Sequence, residues 1–378
     1  MNKLEVENKL KDNKLPERWE KIRLGEIIVE NIKSRSKVED ADNYGRYPFF
    51  TSGEAILSDS NYLVDYENVF LTTGGVANIK YYEGKANYSA DTYCLKAKIT
   101  TKYLYYFLLK NLTKINYKYF SGSGLKHLQK NDFKKEILIF PFPLHEQEKI
   151  AEILETVDKT IEKTDAIIEK YKRIKQGLMQ DLLTKGIDEN GHIRSEETHK
   201  FKDSPLGRIP EEWEMMELGK VGNIIYGGRL SEKDYDDYGR VKVFGTGGVI
   251  AKTNKIMDRG EAIILPRKGT INNKYYVEDN EEFWVIDTAY YIKAITKTNL
   301  KYVFYFLDKV DFNLFNEATG VPSLNRNTLK SIVIPLPLFP EQRRIASILS
   351  QIDETIEKEQ NYKEKLERIK QGLMEDLL

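Results

Sequence analysis

Along residues 146–183, apolar side chains recur at three- and four-residue steps: Ile150, Leu154, Val157, Ile161, Ile168, Tyr171, Ile174, Leu178 and Leu182. The stretch holds no proline and one glycine. Such spacing puts a narrow apolar stripe on a helix about 57 Å long at 1.5 Å per residue. A second stripe carries Ile345, Leu349, Ile352, Ile356, Leu366, Ile369, Leu373 and Leu377. The stripes lapse at matching places, Thr164 in the first and Glu359 with Lys363 in the second. A polar rod with a thin seam buries little alone, so the two helices are expected to pair with each other. Before each helix, Pro-x-Pro (Pro141 and Pro143; Pro335 and Pro337) stops a strand-like run at 137–140 or 332–334. After the first helix, residues 184–205 are polar and turn-forming and read as a linker. The remaining chain mixes short aromatic and β-branched runs with Gly-rich turns, as at Asn68–Thr72, 262–265 and 284–286. It adds an amphipathic helix near 101–111 and another near 299–310, which together predict two α+β modules.

Sliding the chain against itself exposes a tandem repeat. Leu15-Pro16-Glu17-Arg18-Trp19-Glu20 returns as Ile209-Pro210-Glu211-Glu212-Trp213-Glu214, and Leu24-Gly25 as Leu218-Gly219, both 194 residues later. Lys80-Tyr81-Tyr82 returns as Lys274-Tyr275-Tyr276, and Pro141-x-Pro143-Leu144 as Pro335-x-Pro337-Leu338. Residues 173–183 match 368–378 at ten of eleven positions. The first copy continues through Thr184-Lys185-Gly186-Ile187 beyond the point that matches Leu378, so a short tail of the second is expected to be either lost or naturally absent. Similarity is dense in the helices and sparse in the roughly 130 residues before each. Shared mechanics with different recognition is the economical reading.

Composition narrows the chemistry. The 378 residues carry 59 Lys+Arg and 59 Asp+Glu, so the chain is neutral. Its 40% hydrophobic content suffices for two or three cores. A single cysteine, Cys94, excludes an internal disulfide framework and a Cys-cluster metal site. No apolar run is long enough to cross a membrane, and residues 1–12 lack the apolar core of a signal peptide, so a cytoplasmic location is expected. No phosphate-binding loop exists, since Gly84-Lys85 meets Ala86 and Gly219-Lys220 meets Val221. No two prolines are adjacent, which removes the signature of amino-group methyltransferases. His127, His145, His192 and His199 show no metal-ligand spacing and flank no nucleophile. No catalytic residue, cofactor or metal is expected.

Charge is uneven. Residues 1–144 hold 23 basic and 18 acidic side chains, whereas 206–338 hold 18 of each. Between Lys96 and Lys135 there are ten lysines and one acid, Asp132, with tyrosines interleaved. That is either a phosphate-tracking surface or a solvated lysine face over an aromatic core. Two loops recur in both modules. One runs from Thr72 through Gly74-Gly75 and Asn78 to Lys80, and returns as Pro266-Arg267-Lys268-Gly269 with Asn272 and Lys274. The other is Ser121-Gly122-Ser123-Gly124-Leu125-Lys126, and it returns as Ala318-Thr319-Gly320-Val321-Pro322-Ser323 before Leu324-Asn325-Arg326. Glycine lets backbone approach a phosphate, while Asn, Arg and Lys can read base edges. The candidate nucleic-acid contacts are therefore Asn78, Lys80, Lys126 and Lys130 in the first module. In the second they are Arg267, Lys268, Asn272, Lys274, Asn325 and Arg326.

The duplicated Leu-Pro-x-x-Trp opening, the Pro-x-Pro-Leu turn with Glu146-Gln147 or Glu341-Gln342, and the Gln-Gly-Leu-Met-x-Asp-Leu-Leu ending resemble the specificity subunit of type I restriction-modification systems over essentially the whole chain. The resemblance implies an α+β chain with two target-recognition domains (1–144 and 206–338), separated by two long antiparallel, coiled-coil-like helices (145–205 with its linker, and 339–378) in a pseudo-two-fold repeat. It implies a subunit without catalytic activity that reads a bipartite asymmetric sequence in double-stranded DNA. Its implied partners are two adenine methyltransferase (modification) subunits and the restriction and motor subunits, with no membrane. Helix pairing would fall to Ile150, Leu154, Val157, Ile161, Ile168, Leu178, Ile345, Leu349, Ile352, Ile356, Leu366 and Leu373. Two other readings stay open: a protein-binding scaffold held by paired helices, and the specificity subunit of a system that cuts on both sides of its site.

Overall fold

A computed structural model describes residues 17–42, 44–295 and 297–378. Four helices carry the architecture: α1 (Thr101–Lys110), α2 (Leu144–Leu182), α3 (Leu300–Leu307) and α4 (Phe339–Leu377). The chain divides into two compact units. The first comprises the described residues up to Ala166 with Gln360–Leu378, and the second is Ile167–Glu359. Each unit thus contains one module plus an end of each long helix. The helix ends belong there because their apolar residues join the module cores. Ile150, Leu154 and Met374 sit in the first core, and Leu182, Ile345 and Leu349 in the second. No described helix is long and apolar enough to cross a membrane.

Both modules follow one plan. In the first unit an antiparallel sheet has the order Ile28–Glu30, Thr92–Ala97, Asn68–Thr72, Ile79–Tyr82. A second sheet has the order Ile56–Asp59, Tyr47–Phe50, Lys85–Tyr88, Val64–Asp65, with one parallel pairing between Tyr47–Phe50 and Lys85–Tyr88. The second unit repeats both orders. Its sheets run Gly222–Tyr226, Ala289–Ala294, Ala262–Pro266, Tyr275–Val277, and Gly248–Thr253, Val241–Gly245, Glu282–Val285, Asp258–Arg259. Asn68–Thr72 and Ala262–Pro266 are buried at every residue, as a continuous apolar run in an interior strand requires. In the first unit Tyr103, Leu104 and Leu108 of α1 share a core with Val69, Leu71 and Leu95, and in the second Tyr302, Val303 and Phe306 of α3 share one with Ile263, Leu265 and Ile292.

The recurring sequence motifs tie each module to its helix. Trp19–Arg23 pairs antiparallel with Ile137–Pro141, and Glu214–Glu217 with Val333–Leu336. The glycine of each Leu-Gly pair is required by close approach: a Cβ at Gly25 would lie 3.1 Å from the Lys134 Cβ, and one at Gly219 2.8 Å from that of Lys330. At the helix start, the Gln147 amide donates to the Pro141 carbonyl (2.9 Å), and its oxygen accepts from the Thr100 amide just before α1 (3.3 Å). Gln342 makes a similar pair of bonds, donating to the carbonyl of the second proline of its motif, Pro337 (2.8 Å), and accepting from the Asn299 amide (2.9 Å). The pair Glu-Gln therefore encodes a brace between the long helix and the module helix.

Within each unit the long helices run antiparallel. In the first unit Lys370 pairs with Asp158 at 2.6 Å and Lys363 with Asp165 at 2.7 Å, so seven residues forward on α2 are seven backward on α4. The second unit pairs Lys175 with Asp353 at 2.6 Å. Two of these aspartates also bind the module. Tyr106 donates to Asp158 and Tyr305 to Asp353, both at 2.8 Å. Burial first, then the neighbouring aspartate in the Tyr106 case, pushes both phenols above their ordinary range.

Three expectations are corrected. Ile174 and Ile369 do not line the seam but stand 38% and 42% exposed, because the adjacent Lys175 and Lys370 turn inward to the facing aspartates. Thr164 is no lapse: it is 3% exposed, with its hydroxyl satisfied by the Thr160 carbonyl (2.9 Å). Of the pairing residues, Ile150, Leu154, Ile168, Ile345, Leu349 and Leu366 are buried, while Val157, Ile161, Leu178, Ile352, Ile356 and Leu373 are half-buried. Finally, residues 184–205 are not a free linker. Ile187 (1% exposed) enters the second core, and the Arg194 guanidinium (6% exposed) binds the Glu341 carboxylate.

Candidate nucleic-acid interface

The two recurring loops, far apart in sequence, are hydrogen-bonded to each other in both modules by the same bonds. In the first, the Gly75 amide donates to the Lys126 carbonyl (2.8 Å) and the Leu128 amide to the Thr73 carbonyl (2.9 Å). In the second, Gly269 donates to Pro322 (2.9 Å) and Leu324 to Arg267 (2.9 Å). Gly75 (φ +87°) and Gly269 (φ +80°) both occupy the left-handed region that these turns need, where a side chain would be strained. The result is a paired-loop ridge with one backbone and two different sets of side chains.

The second module's ridge is armed with arginine. Arg326 lies 4.8 Å and Arg267 5.5 Å from the centroid of the Tyr226 ring. Arg267 also donates to the Asp287 carbonyl at 3.2 Å. Each cation over a ring gains about 0.5–1 kcal/mol at such a site. More usefully, the ring holds two guanidinium forks in place, and that planar donor geometry matches guanine edges and phosphates. Tyr226 stays 45% exposed beside them, and the Arg229 side chain is 95% exposed near Asp287. Lys268 is exposed on the same loop. Asn325 is exposed too, but its side chain caps the following helical turn by accepting from the Asn327 amide (2.8 Å). Tyr226 and Arg229 were missed in sequence because one ends a strand and the other lies just after it, some 40 residues from Arg267 and 100 from Arg326.

Other candidates serve the ridge from beneath. Lys274 is ion-paired to Asp308 at 2.8 Å with its side chain 8% exposed. Asn272 donates to Asp311 (2.9 Å) and accepts from the Phe312 amide (2.7 Å). In the first module the Lys80 ammonium donates to the carbonyls of Thr51 and Gly53, and burial lowers its pKa. Asn78 is half-buried and holds the Thr72 amide with its carbonyl (3.0 Å). The side chains of Lys274, Asn272 and Lys80 are thus already engaged, while Asn78 contributes its backbone carbonyl.

The lysine-rich run of the first module is mostly committed to neighbours. Glu136 (7% exposed) gathers Lys114 at 2.5 Å, Lys118 at 3.0 Å and the Tyr119 hydroxyl. Burial works against its charge, but the bonds from Lys114, Tyr119 and Lys118 outweigh it and hold the carboxyl at about 2. Lys96 lies over Tyr66 (4.9 Å), Lys130 over Tyr93 (4.1 Å), Lys102 pairs with Glu155 (3.0 Å), and Lys134 pairs with Glu30. Lys126 differs: it is exposed at the ridge crest, with no hydrogen bond or ion pair to its ammonium among the described residues. Leu125 (64% exposed) and Val76 (75%) flank it on the two loops. No cluster of His, Cys, Asp and Glu able to hold a metal occurs among the described residues.

The paired-loop plan has relatives. The pattern of the type I restriction modification DNA specificity domain matches twice, over residues 16–173 and 210–368. The type I restriction enzyme MjaVIII specificity subunit of Methanocaldococcus jannaschii is 27% identical, covering 97% of this chain and 93% of that one. The EcoDI specificity subunit of Escherichia coli is 28% identical, covering 92% and 85%. Among solved structures, the type I restriction-modification S subunit from M. genitalium superposes with a TM-score of 0.75 at 16% identity, over 97% of this chain and 98% of that one. A doubled family match across two modules with the same sheet order admits one assignment: the chain belongs to the type I restriction-modification DNA specificity family, the non-catalytic, DNA-recognising component of such systems.

Proposed function

We propose that each paired-loop ridge docks on one half of a bipartite, asymmetric double-stranded DNA target. The observation that carries this reading is the identical inter-loop bonding of two ridges whose side chains differ, Lys126 with apolar neighbours in one and Arg267, Lys268 and Arg326 around Tyr226 in the other. Phosphate contacts would position each ridge, and the arginine forks would discriminate bases. Helices α2 and α4 set the unread spacer between the halves. The chain recruits two adenine methyltransferase subunits and the restriction and motor subunits, which bring all chemistry, and it works in the cytoplasm.

The test is to insert or delete one heptad at matched positions in both long helices and to map methylated sites in cells carrying the cognate methyltransferase. The spacer length is expected to change while both half-site sequences stay the same. An altered half-site sequence, or an unaltered spacer in a folded variant, overturns the reading.

A further inference from the structure

The first ridge differs from its twin in more than charge. Neither of its loops, residues 72–80 and 121–130, contains an arginine. Its crest is aliphatic instead: Val76 is 75% exposed on one loop and Leu125 64% exposed on the other. The glycines of the first loop bring the two together. A Cβ on Gly74 would fall 3.7 Å from one Leu125 methyl carbon, and one on Gly75 4.0 Å from the other. Leu125 therefore lies over the Gly74-Gly75 step, with Val76 next in the chain.

Core packing does not account for this placement. The first core takes Ala77, Ile79 and Leu128 from the same two loops and passes over Val76 and Leu125. An aliphatic pair held in water gains nothing until something apolar covers it. The twin ridge treats the same places differently. Backbone bonds equate Gly75 with Gly269 and Lys126 with Pro322, so Val76 answers to Thr270 and Leu125 to Val321. Thr270 donates its hydroxyl to the Thr246 carbonyl (3.0 Å), which leaves Val321 (66% exposed) as the aliphatic member of that pair. The second ridge thus joins two guanidinium forks to one aliphatic side chain. The first joins two aliphatic side chains to a Lys126 ammonium without a partner among the described residues.

Building on the reading that each ridge docks on a half-site, we propose that Val76 and Leu125 are specificity-determining residues that read thymine. They enclose its 5-methyl group in the major groove while Lys126 holds a nearby phosphate. The chemistry selects one base. Among the unmodified bases only thymine presents a methyl group on that edge. The amino and carbonyl groups of the others would be stripped of water against aliphatic carbon and left without a partner, which is costly. The first half-site therefore contains at least one A·T pair recognised through its methyl, whereas the second is read by arginine forks.

The test uses the full chain assembled with its cognate methyltransferase and a duplex carrying the target mapped by methylation sequencing. Each thymine in turn is replaced by deoxyuridine, which removes the methyl group and keeps every hydrogen-bonding group. At one or more thymines of one half-site, affinity is expected to fall about three- to tenfold, the effect of one buried methyl group. A chain carrying Val76→Ala with Leu125→Ala should bind the thymine and uracil duplexes equally, near the wild-type affinity for the uracil duplex. A purely structural role for the two side chains would instead weaken both duplexes and preserve their ratio. Absence of any methyl-sensitive thymine with the wild-type chain, or sensitivity that survives in the double variant, overturns the proposal. Failure of the wild-type assembly to prefer the mapped duplex over a scrambled one overturns the half-site reading itself, and this inference with it.

Discussion

The two modules share sheet order, loop pairing and helix braces, yet they spend their charges differently. In the second unit, arginine sits at the exposed ridge over Tyr226, and the position beneath the Leu-Gly turn is the buried, apolar Ile332. In the first, the equivalent of Ile332 is Glu136, which binds two lysines and a tyrosine, while Lys126 stays exposed on its loop without a partner among the described residues. Equivalence here is set by backbone bonds: Leu24 donates to the Glu136 carbonyl and Leu218 to that of Ile332, at 2.8 and 2.7 Å. Lysine count is thus a poor guide to a nucleic-acid surface. A cation bound to a buried carboxylate supports the fold and has few donors left for phosphate, whereas a guanidinium propped on an exposed ring keeps its fork available.

The sharpest way to break the comparison is at the glutamates near the starts of the two long helices, Glu146 and Glu341. Glu341→Ala removes the partner of Arg194, Ile187 and Trp213 together, and is expected to cost the second unit about 3–5 kcal/mol, as breaking a buried pair does. Glu146→Ala should change stability by less than about 0.5 kcal/mol. Denaturant unfolding of both variants measures the contrast, and equal losses would mean the two glutamates are equally engaged.

The ridges come next. Arg326→Ala is expected to cost about 1–3 kcal/mol on the preferred sequence and to relax one base position, as loss of a specific fork does. Lys126→Ala should weaken binding more evenly across sequences and flatten the slope of affinity against salt by about one ion. Filter binding of both variants to matched and mismatched half-sites at several salt concentrations separates the two behaviours. Sequence-selective loss at Lys126 would erase the distinction.

The smallest effect belongs to Glu136. Its folded carboxyl titrates near 2 against an ordinary 4.5. Stabilisation from this depressed group is complete above about pH 4.5 and drains away as pH falls through about 2. Glu136→Gln should therefore lower the urea midpoint of the first unit at pH 7, with the gap to wild type narrowing below pH 4.5. A gap that widened with acid would mean the group is not held ionised.

Much of this was readable beforehand, for reasons that differ by element. The repeat, the long helices and the four-residue Pro-x-Pro-Leu turns announce themselves because periodicity and glycine or proline act locally. The two Gly-rich loops were visible as candidates, since Gly75 and Gly269 recur at a fixed offset. Their bonding to the second loop was not, because Thr73 and Leu128 meet only through sheet folding. For the same reason Lys274 and Lys80 looked like ligand contacts: a lysine's sequence context does not reveal whether a carboxylate or carbonyl waits beneath it. Residues 184–205 looked like a tether because charge and turn formers dominate, and one buried pair, Arg194 with Glu341, reverses that reading from 147 positions away.

Sequence alone determined that the chain is a duplicated specificity subunit with two rods and two unlike readers, since those properties live in periodicity and in motifs a few residues long. Tertiary structure alone decided which cations are spent internally, which aspartates join helix to helix, and that Glu341 is bound from several sides while Glu146 has no such partner among the described residues. Each of these depends on groups brought within about 3 Å from positions scores of residues apart, where desolvation makes a partner's presence or absence decisive.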